Sequence, residues 1–354
     1  MSRMSSWTGL FGAKEPKLKP DPRIRWFGKL PTYADYYSSQ GDEPWVVEFN
    51  GWVLEGFEMY LRRSREAQTA ASSSDSPHHS PRRLPLASCA IRLPKSGMTA
   101  FASVQDYGGD MVGRPFPLCF YVGIPTAQWP GPTSDRLSGV TRVASELLDL
   151  RYHVVRFFNA PGGFKSVFED RRVDLADINS ETLDDSWLKT AAGISMTDWS
   201  SGTGNDLIAG DLGSWLGLVG RWGEKIAAME SEGFEPTLCF PLAQGIDQGV
   251  QTAGWIRWLE SRMDLKRRML SLLVTGGPGD EPRRLVVIAR DPTPEDFLLL
   301  TPLANTLRYV DDVSRESDAE ALAGSLTGDR ASYGTWAAFT QAPTHGVMTL
   351  DEAS

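Results

Sequence analysis

The amino-acid sequence predicts an α/β (α+β) protein made of two small mixed or antiparallel sheet units packed with amphipathic helices. Strand-like runs fall in two groups, near residues 86–124 and 237–290, with a helix-rich stretch between them. Each half carries an amphipathic, tryptophan-bearing helix just before adjacent strand candidates. A length of 354 residues also exceeds the usual single-domain size, while 41 % hydrophobic and 23 % charged residues are ordinary for a folded chain, so core material is ample for two units.

These observations divide the chain into a flexible leader at 1–22, an α/β domain at 23–165, a mainly helical connector at 166–232 and a second α/β domain at 233–354. The leader has too short an apolar segment for a signal peptide and lacks a small-residue cleavage pattern. Order begins near Arg23, where RIRWFGKL alternates and meets Pro31. Pro44 then opens a helix to Leu61, because Val46, Phe49, Val53, Phe57 and Tyr60 recur at three- and four-residue steps. Residues 64–83 end in SSSDSPHHSPRR, a composition too polar to offset the entropy of ordering, and read as a mobile insertion.

Strands are expected at Leu86–Leu93, Thr99–Val104 and Leu118–Ile124, short and β-branched or aromatic, with Gly/Pro/Asp-rich turns between them. A long helix follows, with Ser134 as its N-cap, Leu137, Val140, Ala144, Leu147 and Leu148 on one face, and Pro161 with two glycines as its stop. The connector has a helical pattern from Asp211 to Met229. The second domain then reads as a strand at Thr237–Pro241, a helix at Gln248–Met269 and strands at Leu270–Thr275 and Arg284–Arg290.

Charge and composition exclude several function classes. With 36 basic against 45 acidic residues and no Lys/Arg cluster, the chain lacks the basic face that phosphate neutralisation needs, so nucleic acid is not expected as a partner. No run approaches the roughly 18 apolar residues of a membrane span. Cys89, Cys119 and Cys239 are odd in number, far apart and set in apolar runs, as buried hydrophobes in a reducing, cytoplasmic compartment would be. His78 and His79 have no acid or cysteine at ligand spacing, so neither a metal nor another cofactor is expected. TGGPGD at Thr275–Asp280 lacks the Gly-Lys-Ser/Thr that would make it a phosphate cradle and reads as a hairpin connection. No GxSxG, HExxH or CxxC occurs, and His153 sits on an apolar helix face where packing is its commoner role. The 12 tryptophans either fill wide cores or anchor contacts; Trp222 and Trp258 are the two whose exposure would favour a partner groove.

Two segments stand apart: WFGKLPTYADYY at Trp26–Tyr37 and GGDMVGRPFPLCFYV at Gly108–Val122. Gly28 permits a positive φ or a close backbone approach, and Pro31 fixes a turn. Arg114 is placed to pair Asp110 or Asp35 through its planar fork. Tyr33, Tyr36 and Tyr37 follow the rigid turn and either anchor a contact or cover the edge of the sheet.

Both segments resemble signatures of the TagF/ImpM family of type VI secretion-associated regulators. Gly28, Lys29, Leu30, Pro31 and Asp35 match a first motif close to GKLPSRGDF; Asp110, Val112, Gly113, Arg114, Phe116, Pro117 and Leu118 match a second resembling D-x-VGR-x-FPL. Thr32, Tyr33 and Ala34 stand where that family has Ser-Arg-Gly, and Tyr36 replaces a Phe. The match covers roughly residues 24–165. The resemblance implies a non-enzymatic, post-translational repressor of type VI secretion that binds secretion components, including a forkhead-associated scaffold protein. The alternative from a different class is a hydrolase or nucleotide-binding protein using the Asp35, Asp110 and Arg114 neighbourhood.

Overall fold

The computed structural model describes residues 18–39, 41–71, 84–129, 137–154, 161–175, 185–231, 235–263, 271–275, 283–307 and 310–312. Nine strands are present among them: β1 Asp21–Gly28, β2 Tyr37–Ser38, β3 Ala87–Leu93, β4 Met98–Gln105, β5 Leu118–Pro125, β6 Thr237–Leu242, β7 Ser271–Thr275, β8 Arg283–Ile288 and β9 Val310–Asp312. The fold is α+β, and the two strand groups are each dominated by antiparallel pairing as the sequence predicts. They do not stand as separate sheets. They join edge to edge in a single sheet of order β2-β1-β5-β4-β3-β7-β8-β6-β9.

The seam is β3 against β7, antiparallel, with Ala87 opposite Thr275 and Ala90 opposite Leu272. The Arg92 amide extends it by donating to Ser271 Oγ at 3.0 Å. Apart from this pairing, both strands would be sheet edges with unpaired amides and carbonyls; joining them removes two edges at once. The added β9 pairs parallel to β6, and β7–β8 is a hairpin, with Thr275 opposite Arg284, as TGGPGD suggests.

Side chains alternate cleanly across the sheet. Cys89, Ile91 and Leu93 of β3, with Ala100 and Ala102 of β4, face the long helix α1 (Pro44–Ala71) and the 3₁₀ segments Pro294–Leu300 and Pro302–Thr306. Ala90, Phe101, Phe120 and Val122 face the opposite layer, built from α2 (Leu137–Val154), α3 (Pro161–Phe168), α4 (Asp185–Ala192), α5 (Met196–Gly202), α6 (Asp206–Gly210), α7 (Leu212–Ser231) and α8 (Gln248–Glu260). A sheet covered on both faces explains why β4 and β5 are buried along their whole lengths and read as near-continuous apolar runs. The tryptophan-bearing helices α1 and α8 lie on opposite faces of the sheet.

Several boundaries differ from the sequence reading. The helix expected to end at Leu61 continues to Ala71 because SREAQTAA consists mostly of strong helix formers. The first part of the expected insertion is therefore helix; residues 72–83, with His78 and His79, lie outside the described residues. Pro161 opens α3 instead of only stopping α2, since its missing N–H and fixed φ suit a first helical turn. Phe164 and Phe168 of α3 then pack on Trp26 and Phe120. The backbone beyond returns to β1, with Ile24 N donating to Arg171 O and Val173 N to Pro22 O, so packing of the first half runs on past 165. Strand β1 begins two residues early, where the Asp21 carboxylate holds Arg23 and Arg25. Helix α8 ends at Glu260 with Ser261 as its C-cap, short of Met269. Ser134, residues 1–17 and residues 313–354 lie outside the described residues.

Tryptophan fills the second core. Trp199, Trp215, Trp255 and Trp258 are fully buried, and Trp222 nearly so, which rules out Trp222 and Trp258 as exposed anchors. Cys89, Cys119 and Cys239 are buried free thiols, and burial pushes Cys89 up to about 12. Among the described residues, no helix is long and apolar enough to cross a membrane.

Candidate functional site

Strand β1 ends where its backbone nearly touches the start of β5. Gly28 has φ +147°, and a Cβ there would lie 2.0 Å from Pro117 O and 2.6 Å from Leu118 Cα. Only glycine fits. The chain then turns through Lys29–Pro31, closed by the Tyr33 amide donating to Leu30 O at 3.0 Å. On the facing loop the Asp110 amide donates to Arg114 O and the Gly113 amide to Asp110 O, with Gly113 at φ +78°. A further backbone bond, Met111 N to Tyr33 O at 3.0 Å, ties the two motif segments together.

Asp110 is the node of this junction. Its side chain is fully buried and receives Lys29 Nζ at 3.1 Å, Arg114 Nε at 2.8 Å, Arg114 N at 2.9 Å and Val112 N at 3.1 Å. Burial alone would raise its pKa; the Arg114 amide, the Lys29 ammonium, the Arg114 side chain and the Val112 amide together outweigh burial and hold the carboxyl well below the ordinary range. The Arg114 guanidinium also donates to the Ala34 carbonyl. Arg114 thus chooses Asp110. Asp35 is exposed, and its carboxylate accepts only from the neighbouring Tyr36 amide, at 2.8 Å, among the contacts described.

The aromatic residues separate into two roles. Tyr33 and Tyr37 are half-buried, stack on each other at 4.8 Å and continue onto Trp26 and Phe164, so they cover the sheet edge. Tyr36 lies 43 % exposed on the other side, stacked on Phe27 at 5.5 Å, edge-on to the buried Phe116 at 4.8 Å and beneath Lys29 Nζ at 4.9 Å. Two apolar residues of the Asp110 loop are exposed as well: Met111 is 64 % and Val112 62 % exposed.

The two motif segments do meet, through Gly28 against Pro117, Lys29 with Asp110, Ala34 with Arg114 and Tyr33 with Met111. Sequence reasoning did not foresee the burial of Lys29, which is 5 % exposed and paired with Asp110. It also passed over Met111 and named Val112 only as a motif match, although two apolar residues between an aspartate and a glycine in a turn have no strand to bury them.

The depressed Asp110 carboxyl gives a pH signature. A folded-state pKa below the unfolded value contributes stability that is complete above about pH 4 and fades as pH falls through the folded value. Asp110→Asn should therefore melt well below the wild type at pH 7, and the difference should narrow below about pH 4. Melting curves at pH 7, 5 and 3 check this; a deficit independent of pH means that shape, and not charge, makes the junction.

No protein-family model matches the chain, and no curated protein matches it. A solved structure, that of PA0076 from Pseudomonas aeruginosa PAO1, is similar at 19 % identity and TM-score 0.29 over 43 % of this chain and 63 % of that one. The chain therefore spans less than two thirds of that protein's length, and a likeness at this level carries no argument about family or function.

Proposed function

We propose that this chain is a non-enzymatic regulator that binds a protein partner through the surface of Tyr36, Met111, Val112 and Arg114. The observation that supports it is a set of exposed apolar side chains on two loops that are bonded to each other. The loops beneath are pinned by Asp110, so little conformational freedom is lost when a partner docks. A central aromatic and two aliphatic side chains beside an arginine have the composition of an interface centre.

The rival catalytic reading needs an available acid or base. Asp110 already accepts four hydrogen bonds from Lys29, Val112 and Arg114, and Asp35 faces its own backbone. The cavity beside α1 and the cavity between α2 and α8 are lined by none of Lys29, Asp110 and Arg114. The motif resemblance adds the identity of the partner: a cytoplasmic component of type VI secretion, with a forkhead-associated scaffold protein as the first to test, and repression as the outcome.

Pull-down with the full chain from a bacterial lysate carrying a type VI cluster should recover a secretion component. Met111→Asp should abolish recovery, and Tyr36→Ala should weaken binding by about 1–2 kcal/mol, both with near-wild-type melting curves. Recovery of no secretion component removes the family reading; recovery undiminished by Met111→Asp removes the surface.

A further inference from the structure

The outer face of α1 carries a knob and a hole one turn apart. One side of this helix packs on the sheet; on the other, a groove of about 550 Å³ runs between its first half, the β3–β4 turn and the loop that leads into Pro294. The groove walls are fixed to the helix. The Glu48 carboxylate accepts from the Lys95 and Ser96 amides at 3.0 and 2.8 Å, the Trp52 indole donates to Thr293 O at 2.7 Å, and Arg92 pairs with Asp291 at 2.9 Å. Pro44, Pro94, Pro292 and Pro294 line it and bring no N–H donors, so the groove suits side chains and not an added strand.

Val47 and Gly51 are four residues apart, on one face of α1, and both line this groove. Val47 is 59 % exposed, an aliphatic knob on a helix whose Val46, Phe49 and Val53 are buried. Gly51 is an open notch, since a Cβ there would meet no atom within 4 Å. Glycine is the least favourable helix-interior residue short of proline, so each one asks for a reason. Gly56 on the same helix has its reason inside the chain, because a Cβ there would lie 2.2 Å from Phe297 Cβ and 2.7 Å from Pro294 O. Nothing in the chain uses the space at Gly51; a side chain from outside would.

We infer that this face binds a second copy of the chain about a twofold axis, α1 crossing α1 antiparallel, with Val47 of each copy seated on Gly51 of the other. A knob and a hole on one surface are what such a contact requires, since each copy must offer both members of every pair. The charges repeat the pattern. Glu55 and Lys95 are exposed, line the same groove and make no ion pair among the described residues, so the acid of one copy is placed to meet the base of the other. Walls already bonded to the helix lose little freedom on docking. The contact is one helix face wide, which sets it among the small interfaces that dissociate on dilution. None of its residues belongs to the docking surface of Tyr36, Met111, Val112 and Arg114.

Sedimentation equilibrium of the full chain, from about 1 to 200 µM, tests this without any other protein. The average mass should rise from one copy to two, with dissociation in roughly the micromolar range. Gly51→Leu fills the notch with a better helix former and should weaken the dimer at least about tenfold, while the melting temperature of the dilute protein holds or rises. Val47→Asp should weaken it as much without disturbing the fold, because Val47 is exposed. Glu55→Lys should weaken the dimer severalfold, and adding Lys95→Glu should restore it. Met111→Asp should leave it unchanged, which separates this contact from the docking surface. A single copy at every concentration, growth beyond two copies, a dimer indifferent to Gly51→Leu and Val47→Asp, or no recovery in the charge exchange overturns the inference.

Discussion

Gly28→Ala should lose about 4 kcal/mol of unfolding free energy, because two separate penalties fall on one methyl group. The first is conformational: φ +147° is a region that residues with a Cβ rarely enter. The second is steric and harder to relieve. The atoms in the way, Pro117 O and Leu118 Cα, are backbone atoms of a strand held by β1 on one side and β4 on the other. Gly113→Ala is the matched control, since Gly113 also has positive φ, at +78°, but no atom stands within 4 Å of its would-be Cβ. It should lose only about 1 kcal/mol. Urea denaturation of the two variants separates the penalties. Equal losses would mean that β1 and β5 can part at little cost, and the close approach would then not be what holds the motif segments together.

Much of this junction was legible from residue chemistry, and the reason is locality. A glycine before a Lys-Leu-Pro turn, and an aspartate four residues before an arginine in a Gly-rich loop, state their backbone needs within a few positions. Their encounter follows once β1 and β5 are neighbours, as Phe27 opposite Cys119 and Gly28 opposite Leu118 make them. Choices between equivalent partners were not legible. Arg114 had two acids in reach, and only the burial of Asp110 with Lys29 decides against Asp35. The tyrosines likewise divide by alternation: Tyr37 falls on the Trp26 face of β1 and Tyr36 on the Phe27 face.

The joining of the two strand groups was hidden for a different reason. Both β3 and β7 read as fully buried strands, and such a pattern reports burial on two faces without saying which edge meets which. The β3–β7 pairing spans about 180 residues of sequence, and no local signal carries that distance. The extension of α1 to Ala71 was hidden by the opposite cause: its last turns follow helix propensity without apolar spacing, and a reading built on periodicity stops where the stripe stops.

Trp255→Ala should be as damaging as the glycine change, at about 4–5 kcal/mol, and by a wholly different mechanism. The Trp255 ring stacks on Phe240 of β6 at 4.6 Å and meets Trp258, Trp199 and Trp215 edge-on or tilted at 5.9–6.2 Å, so it links the sheet to α5, α7 and α8. Its indole N–H donates to Pro241 O at 3.0 Å. Removing it opens a cavity walled by other large rings, which cannot collapse to fill it without leaving their own contacts. Trp255→Phe retains most of the ring contact and forfeits the hydrogen bond, so it should lose about 1–2 kcal/mol. Neither variant touches Tyr36, Met111 or Val112, and the folded fraction of Trp255→Phe should bind its partner as the wild type does. Urea denaturation followed by tryptophan fluorescence reads the stabilities. A loss below about 1.5 kcal/mol for Trp255→Ala would show that the helices pack on the sheet without this ring, and the tryptophan cluster would then not be the core of the second half.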